Sequence, residues 1–178
     1  MRLPHLVSRA AHPGVHRADM TTAIHQQVEA ARAGRLSRVI ARVRSGWAVL
    51  GDPQITHGYC LLLPDPVVPD LNALTGDARR QFLDDMAALG DAVLAETGAE
   101  RINYEILGNV EPALHAHVIP RHASEDPTLR KQPVWLHEWS GAPAFTPALE
   151  PLARRLAGRL SSILRPAADP GPDGRSRS

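Results

Sequence analysis

The 178-residue chain has a single cysteine, Cys60, and a single lysine, Lys131. One thiol can neither close an internal disulfide nor assemble a thiolate metal cluster. Its neighbours, Tyr59 and Leu61 to Leu63, mark it as a small hydrophobe in a buried strand. Such sparing use of cysteine fits a reducing, cytoplasmic compartment. Arginine supplies nearly all the positive charge, and the net charge is only +1 at pH 7. No block of basic residues interleaved with aromatics occurs, so the footprint of a nucleic-acid binder is missing. No stretch approaches the roughly 18 apolar residues of a membrane span. No internal repeat is present. What remains is a hydrophobic share of 43%, typical of a globular chain, and a length suited to one domain with a real core.

The ends differ from the middle. The first 19 residues hold arginines and histidines, no acid before Asp19, and no apolar core of a secretory signal. They read as a disordered extension ahead of a start at Met20, or as a loose mimic of a transit peptide. From Arg165 onward, Pro, Gly, Asp and Ser read as a disordered tail. A single domain over 20–164 is expected between them.

Within that domain, Thr21 to Ala33 favours helix, with Ile24, Val28 and Ala31 on one face and Gly34 as the stop. Val39 to Val43 fits either period. The Ser45-Gly46 turn and the apolar run Trp47 to Leu50 favour a strand with a hairpin partner. Gly58 to Leu63 is a third strand, ended by Pro64-Asp65-Pro66. Asp77 is a candidate N-cap for a helix reaching Thr97, with Phe82, Leu83, Met86, Leu89, Val93 and Leu94 inward and Gly98 closing it. Arg101 to Gly108 and Ala113 to Ile119 both alternate as strands. His122 to Pro147 reads mostly as loop, and Pro147 to Leu164 as a last helix. Hairpin, helix, then two more strands predict an α+β domain with an antiparallel sheet.

Chemistry concentrates between Gly108 and Arg121. Side chains repeat every second residue on a strand, so Ala113, His115, His117 and Ile119 share one face, while Leu114, Ala116 and Val118 face the core. The two imidazoles then stand about 6.5 Å apart, at about 3.3 Å per residue. That spacing suits two groups acting on one phosphorus–oxygen bond. Neutral imidazole attacks without prior deprotonation, and a phosphorus–nitrogen intermediate divides one hard displacement into two easier ones. A neighbouring imidazole can hold or donate a proton to the leaving phosphate. Two plainer readings compete: packing histidines on a half-buried strand, and a metal site. The metal reading lacks further ligands, because no carboxylate follows on the strand and Pro120-Arg121 interrupts.

The run Ala113-Leu114-His115-Ala116-His117-Val118-Ile119-Pro120-Arg121 resembles the signature of the histidine triad (HIT) family, His-x-His-x-His followed by apolar residues. Its Pro-Arg ending is similar to the branch that hydrolyses diadenosine polyphosphates. Gly58-Tyr59-Cys60-Leu61-Leu62-Leu63-Pro64 resembles the family's Gly-His-x-Leu-Val-x-Pro strand, and the likeness extends from about Trp47 to Arg121. Two departures stand out: Ala113 replaces the first histidine of the triad, and Tyr59 replaces the histidine of the Gly-His strand.

The resemblance implies a five-stranded antiparallel sheet with packed helices, commonly paired as a homodimer, and a small nucleotide as substrate. It implies His115 as the nucleophile that takes a nucleotidyl group and His117 as its partner at the phosphate or leaving group. Asn109 would donate to phosphate or ribose. Asp52 would hold ribose hydroxyls, or be no more than part of a turn with Pro53. Tyr59 would lie at the nucleotide, and Arg121 would be a strand anchor or a phosphate contact. The Ala113 carbonyl could orient His115 by accepting its Nδ1 proton. The covalent step calls for no metal, and magnesium would only accompany a polyphosphate substrate. Trp135 and Trp139 are candidates to close over a base or to pack the loop, and His57 is a candidate for the pocket rim.

Overall fold

The computed structural model describes residues 21–164. The expected extension over 1–19 and tail over 165–178 lie outside the described residues.

Helix α1 spans Ala23–Arg32. Thr22 caps it in a reciprocal box with His25, satisfying backbone donors that the first turn leaves free. Two strands follow, β1 (Val39–Arg42) and β2 (Gly46–Leu50), joined by the Ser45-Gly46 turn. Strand β3 (Cys60–Pro64) is buried at every position, which requires cover on both faces of the sheet. Helix α2 runs over Gly76–Thr97 and ends on Gly98 in the left-handed conformation, as its sequence predicts. Its N-cap is Thr75 rather than Asp77, which lies in the first turn, where a carboxylate complements the helix dipole.

Strands β4 (Arg101–Glu105) and β5 (Ala116–Arg121) complete an antiparallel sheet in the order β1-β2-β3-β5-β4. Both differ in extent from the sequence pattern. β4 stops at Glu105, and β5 starts at Ala116 and runs through Pro120 to Arg121. The segment before β5 is held differently, by Leu114 N–H donating to the carbonyl of Val68. Helix α3 (Glu150–Ile163) follows a single 3-10 turn at Pro147–Leu149.

The pleat sorts β5 into two environments. Leu114, Ala116 and Val118 join Phe82, Leu89 and Val93 of α2 and Leu152, Leu156 and Leu160 of α3 in one core. Ala113 and Ile119 join Ile24 and Val28 of α1, with Tyr59, Leu61 and Leu63, in a second. Each fully buried Leu or Phe contributes about 1.5–3 kcal/mol relative to exposure. The expected alternation therefore holds, and it turns the two histidines away from α2 and α3. The long segment between β5 and α3, expected as loop, carries short 3-10 turns at Leu129–Lys131 and Val134–Leu136. It folds back over the histidine face as a strap. Among the described residues, no helix is long and apolar enough to cross a membrane.

Candidate active site

His115 sits just before β5 and His117 within it, and both are buried, 6% and 8% exposed. Their ring centroids are 4.8 Å apart, the planes inclined at 73°. That is closer than strand spacing alone gives, and His115 itself lies just outside the regular ladder.

Each ring is oriented by one hydrogen bond. His115 Nδ1 donates to the Ala113 carbonyl at 2.8 Å. A carbonyl can only accept, so the neutral ring carries its proton on Nδ1 and keeps the Nε2 lone pair free. Ala113 thus orients the ring through its backbone, whatever its side chain. His117 Nδ1 lies 2.6 Å from the Tyr59 hydroxyl. Burial pushes the Tyr59 phenol well above its ordinary range, so it keeps its proton and is able to donate it to Nδ1. With the phenol as donor, the His117 proton resides on Nε2. Burial, and secondarily the neighbouring His115, push His117 down to about 4, so it is neutral near pH 7. In that arrangement one imidazole offers a lone pair and the other an N–H.

Tyr59 is held from behind. Its ring occupies the space above Gly51, where an added Cβ would lie 2.1 Å from a ring carbon. Only glycine fits there. Gln54, buried in the same loop, donates to the carbonyls of Gly51 and Tyr59 and accepts from Gly58 N–H. Neither Gly51 nor Gln54 has a sequence signal, since their role exists only once the loop has closed.

The strap supplies the outer wall. Trp135 stands edge-on to His117 with ring centroids 4.8 Å apart, and stacks on Trp139 at 5.0 Å and 3°. Trp139 meets Tyr59 in a T-shaped contact at 6.1 Å. The indole N–H of Trp135 donates to Glu105, the residue opposite His117 on β4.

The other sequence candidates fall elsewhere. Arg121, 3% exposed, is committed to Glu125 and to the carbonyls of Leu129 and Gln132. That is the anchor of the strap, the first of the two roles expected for it. Asp52 is exposed and accepts from Phe145 N–H, clasping the far end of the strap. Asn109 is exposed in the β4–β5 loop. His57 is exposed too and lines a separate cavity of about 420 Å³ with His122 and His137. None of these four hydrogen-bonds to the histidine rings. Among the described residues no group of three or more His, Cys, Asp or Glu side chains could hold a metal ion.

Neither a family model nor a curated protein matches the chain. Solved structures do. A histidine triad protein from Sinorhizobium meliloti is 26% identical, with 75% of this chain and 94% of that one covered and a TM-score of 0.57. A histidine triad protein from Marinobacter aquaeolei is 18% identical over 80% and 96% of the two chains, with a TM-score of 0.60. The fold is that of the histidine triad proteins. A hypothetical histidine triad nucleotide-binding protein from Sulfolobus tokodaii superimposes with a TM-score of 0.62 at 12% identity, covering 78% and 93%. On this fold His115 and His117 stand side by side, with Ala113 two residues before His115.

Proposed function

We propose that the protein is a histidine triad family member acting as a nucleotide-phosphate hydrolase, through a covalent nucleotidyl group on His115. The observation that carries this reading is the complementary pair of rings. The Ala113 carbonyl holds His115 with its Nε2 lone pair available, and the Tyr59 hydroxyl, acting as donor to His117 Nδ1, leaves an Nε2–H available there. Packing alone has no need of opposite tautomers.

In the first step the His115 Nε2 lone pair forms a bond to the α-phosphorus. The bond to the leaving oxygen breaks with its electron pair on that oxygen, and the His117 N–H stabilises the charge. Aiming a fixed donor at developing charge in a water-poor site is the general route to such stabilisation. In the second step water attacks phosphorus and releases the nucleoside monophosphate, restoring His115. Neither step draws on a metal ion, and magnesium enters only as the companion of a polyphosphate chain.

The substrate class is a dinucleoside polyphosphate or a related nucleotide conjugate. Asn109 and Asp52 are proposed contacts for phosphate and ribose, and Tyr59 acts through His117. The protein works in the cytoplasm as a homodimer, with β4 offering an open sheet edge. Transfer of the nucleotidyl group to an acceptor other than water would use the same histidine.

The test is intact mass spectrometry after mixing with diadenosine tetraphosphate or the 4-nitrophenyl ester of adenosine monophosphate. An adenylyl adduct is expected, absent in His115→Ala and persistent in His117→Ala. If neither donor gives an adduct, or if His115→Ala turns substrate over at the native rate, the reading fails.

A further inference from the structure

The far end of the β4–β5 ladder gathers positive charge that the reaction at His115 leaves unused. Arg101 and Arg121 are partners across that ladder, so their side chains leave the sheet on the same face, with Cβ atoms about 4.5–5.5 Å apart. Like charges placed directly opposite destabilise a sheet, so the pairing calls for compensation. Arg121 has it from Glu125, 2.9 Å away. Arg101 is exposed and enters no ion pair among the described residues.

Arg121 also sets the strap beside Arg101. Its guanidinium donates to the carbonyls of Leu129 and Gln132, which bracket the 3-10 turn Leu129–Lys131. Asp126 fixes the start of that turn by accepting from the N–H groups of Thr128 and Leu129. The turn therefore carries Arg130 and Lys131 on a held backbone. With Glu100, Arg101, Asn103 and Arg121 they line a cavity of about 400 Å³, a size typical of small-molecule sites. No apolar side chain lines it, so a hydrophilic ligand suits it. Glu100 is the one carboxylate among these residues, and it pairs with Arg130 at 3.2 Å. Arg101 from the sheet and Lys131 from the strap are left uncompensated.

We infer that this cavity binds an oligophosphate chain. Such a chain carries charge at several points, matching cations supplied by two separate segments, and a guanidinium takes phosphate oxygens in pairs. The Asn103 amide adds a neutral donor. A ligand with a single carboxylate would satisfy one free cation and leave the other. The site is distinct from the α-phosphate position, because Arg121 lies four residues beyond His117 on β5, about 13 Å at about 3.3 Å per residue. The chain has two possible sources: a free inorganic oligophosphate, or the distal phosphates of the dinucleoside polyphosphate proposed as substrate. Only the second source rests on the His115 reaction.

Calorimetric titration of the full chain with inorganic tripolyphosphate at low salt tests the site. Saturable binding of about one per chain is expected, and Arg101→Gln combined with Lys131→Gln should weaken it at least about ten-fold. Arg35→Gln combined with Arg154→Gln removes the same charge at exposed positions elsewhere and should bind as the native protein does. His115→Ala should also retain binding, and thermal unfolding confirms that each variant folds. No binding by the native protein, native-like binding by the folded Arg101→Gln, Lys131→Gln variant, or an equal loss in the charge-matched control overturns the inference. Loss of binding in His115→Ala would move the ligand to the histidine pair and overturn it too. The source is read from KM in the Arg101→Gln, Lys131→Gln variant. A rise for diadenosine tetraphosphate relative to the 4-nitrophenyl ester of adenosine monophosphate assigns the cavity to the distal phosphates of the substrate. An unchanged ratio assigns it to a free oligophosphate. Failure of the His115 reading, seen as native turnover by His115→Ala, leaves tripolyphosphate binding untouched.

Discussion

The two faces of the sheet are built on opposite principles. Towards α2 and α3, every buried β5 side chain is aliphatic and the packing explains itself: Ala116, Val118, Leu156 and Leu160 need no partner beyond one another. On the other face, beneath the strap, two imidazoles, a phenol and two indoles touch in sequence, and polar atoms are buried in pairs. Buried polar groups cost free energy unless each is satisfied. The first face is what the chain needs in order to fold. The second is more polar than folding requires, which is why the chemistry is sought there.

Substitutions can break this contrast, and the largest effect falls on the histidine face. His115→Ala is expected to lower hydrolysis of an activated adenylyl ester by at least about 10⁴-fold, as for loss of other covalent nucleophiles. Its thermal midpoint should move little, since a small cavity replaces one ring. Leu156→Ala on the opposite face should do the reverse. It should cost about 2–5 kcal/mol in chemical denaturation while leaving kcat of the folded fraction unchanged. If Leu156→Ala instead altered kcat strongly, the two faces would not be separable.

Acid sharpens the comparison. His117 is pushed down to about 4 in the folded chain by burial, and then by His115, against an ordinary value of 6.5. The unfolded chain therefore takes up a proton near its ordinary value, while the folded chain resists until much lower pH. Stability should fall as pH drops through this window, by up to about 3 kcal/mol. Urea unfolding at a series of pH values checks this, and His117→Gln should flatten the dependence. A native profile as flat as the variant's would contradict the burial argument.

The smallest effect is expected from Tyr59→Phe, which keeps the ring over Gly51 and removes only the hydroxyl. About 1 kcal/mol of stability should be lost with the hydrogen bond. The rate should fall about ten-fold, mainly in kcat, because His117 no longer has one enforced tautomer. Comparing the imidazole nitrogen shifts of the two proteins by NMR would reveal the tautomer directly.

Much of this was legible in residue order. Alternation along Ala113 to Ile119 assigns each β5 side chain to its face. The pattern of α2 finds Phe82, Leu89 and Val93 on its buried face, while Leu83, Met86 and Leu94 are only half-buried and the small residues Ala88 and Ala92 are buried instead. The Ser45-Gly46 turn resolved β1 against a helix with the same apolar residues. Helix and strand ends were less legible. Asp77 and Thr75 are both good capping residues, and nothing local distinguishes them. β5 runs through Pro120 because its partner Ile102 closes the ladder from β4, a contact distant in sequence. The site was legible as a pair of histidines but not as a pair of tautomers. Those depend on Tyr59, which folding brings beside His117 from the adjacent strand. The strap was illegible for the same reason: Arg121, Glu105 and Asp52 hold it through contacts that no periodicity encodes.

The close approach of Tyr59 to Gly51 also limits the order in which this sequence can change. With the phenol in place, any side chain at position 51 collides with the ring, so that position is frozen. A smaller residue at position 59 must come first, and it gives up the hydroxyl that sets His117. The route from this site to one with a side chain at position 51 therefore passes through a weakened intermediate. Residues 51 and 59 should be inherited as a unit.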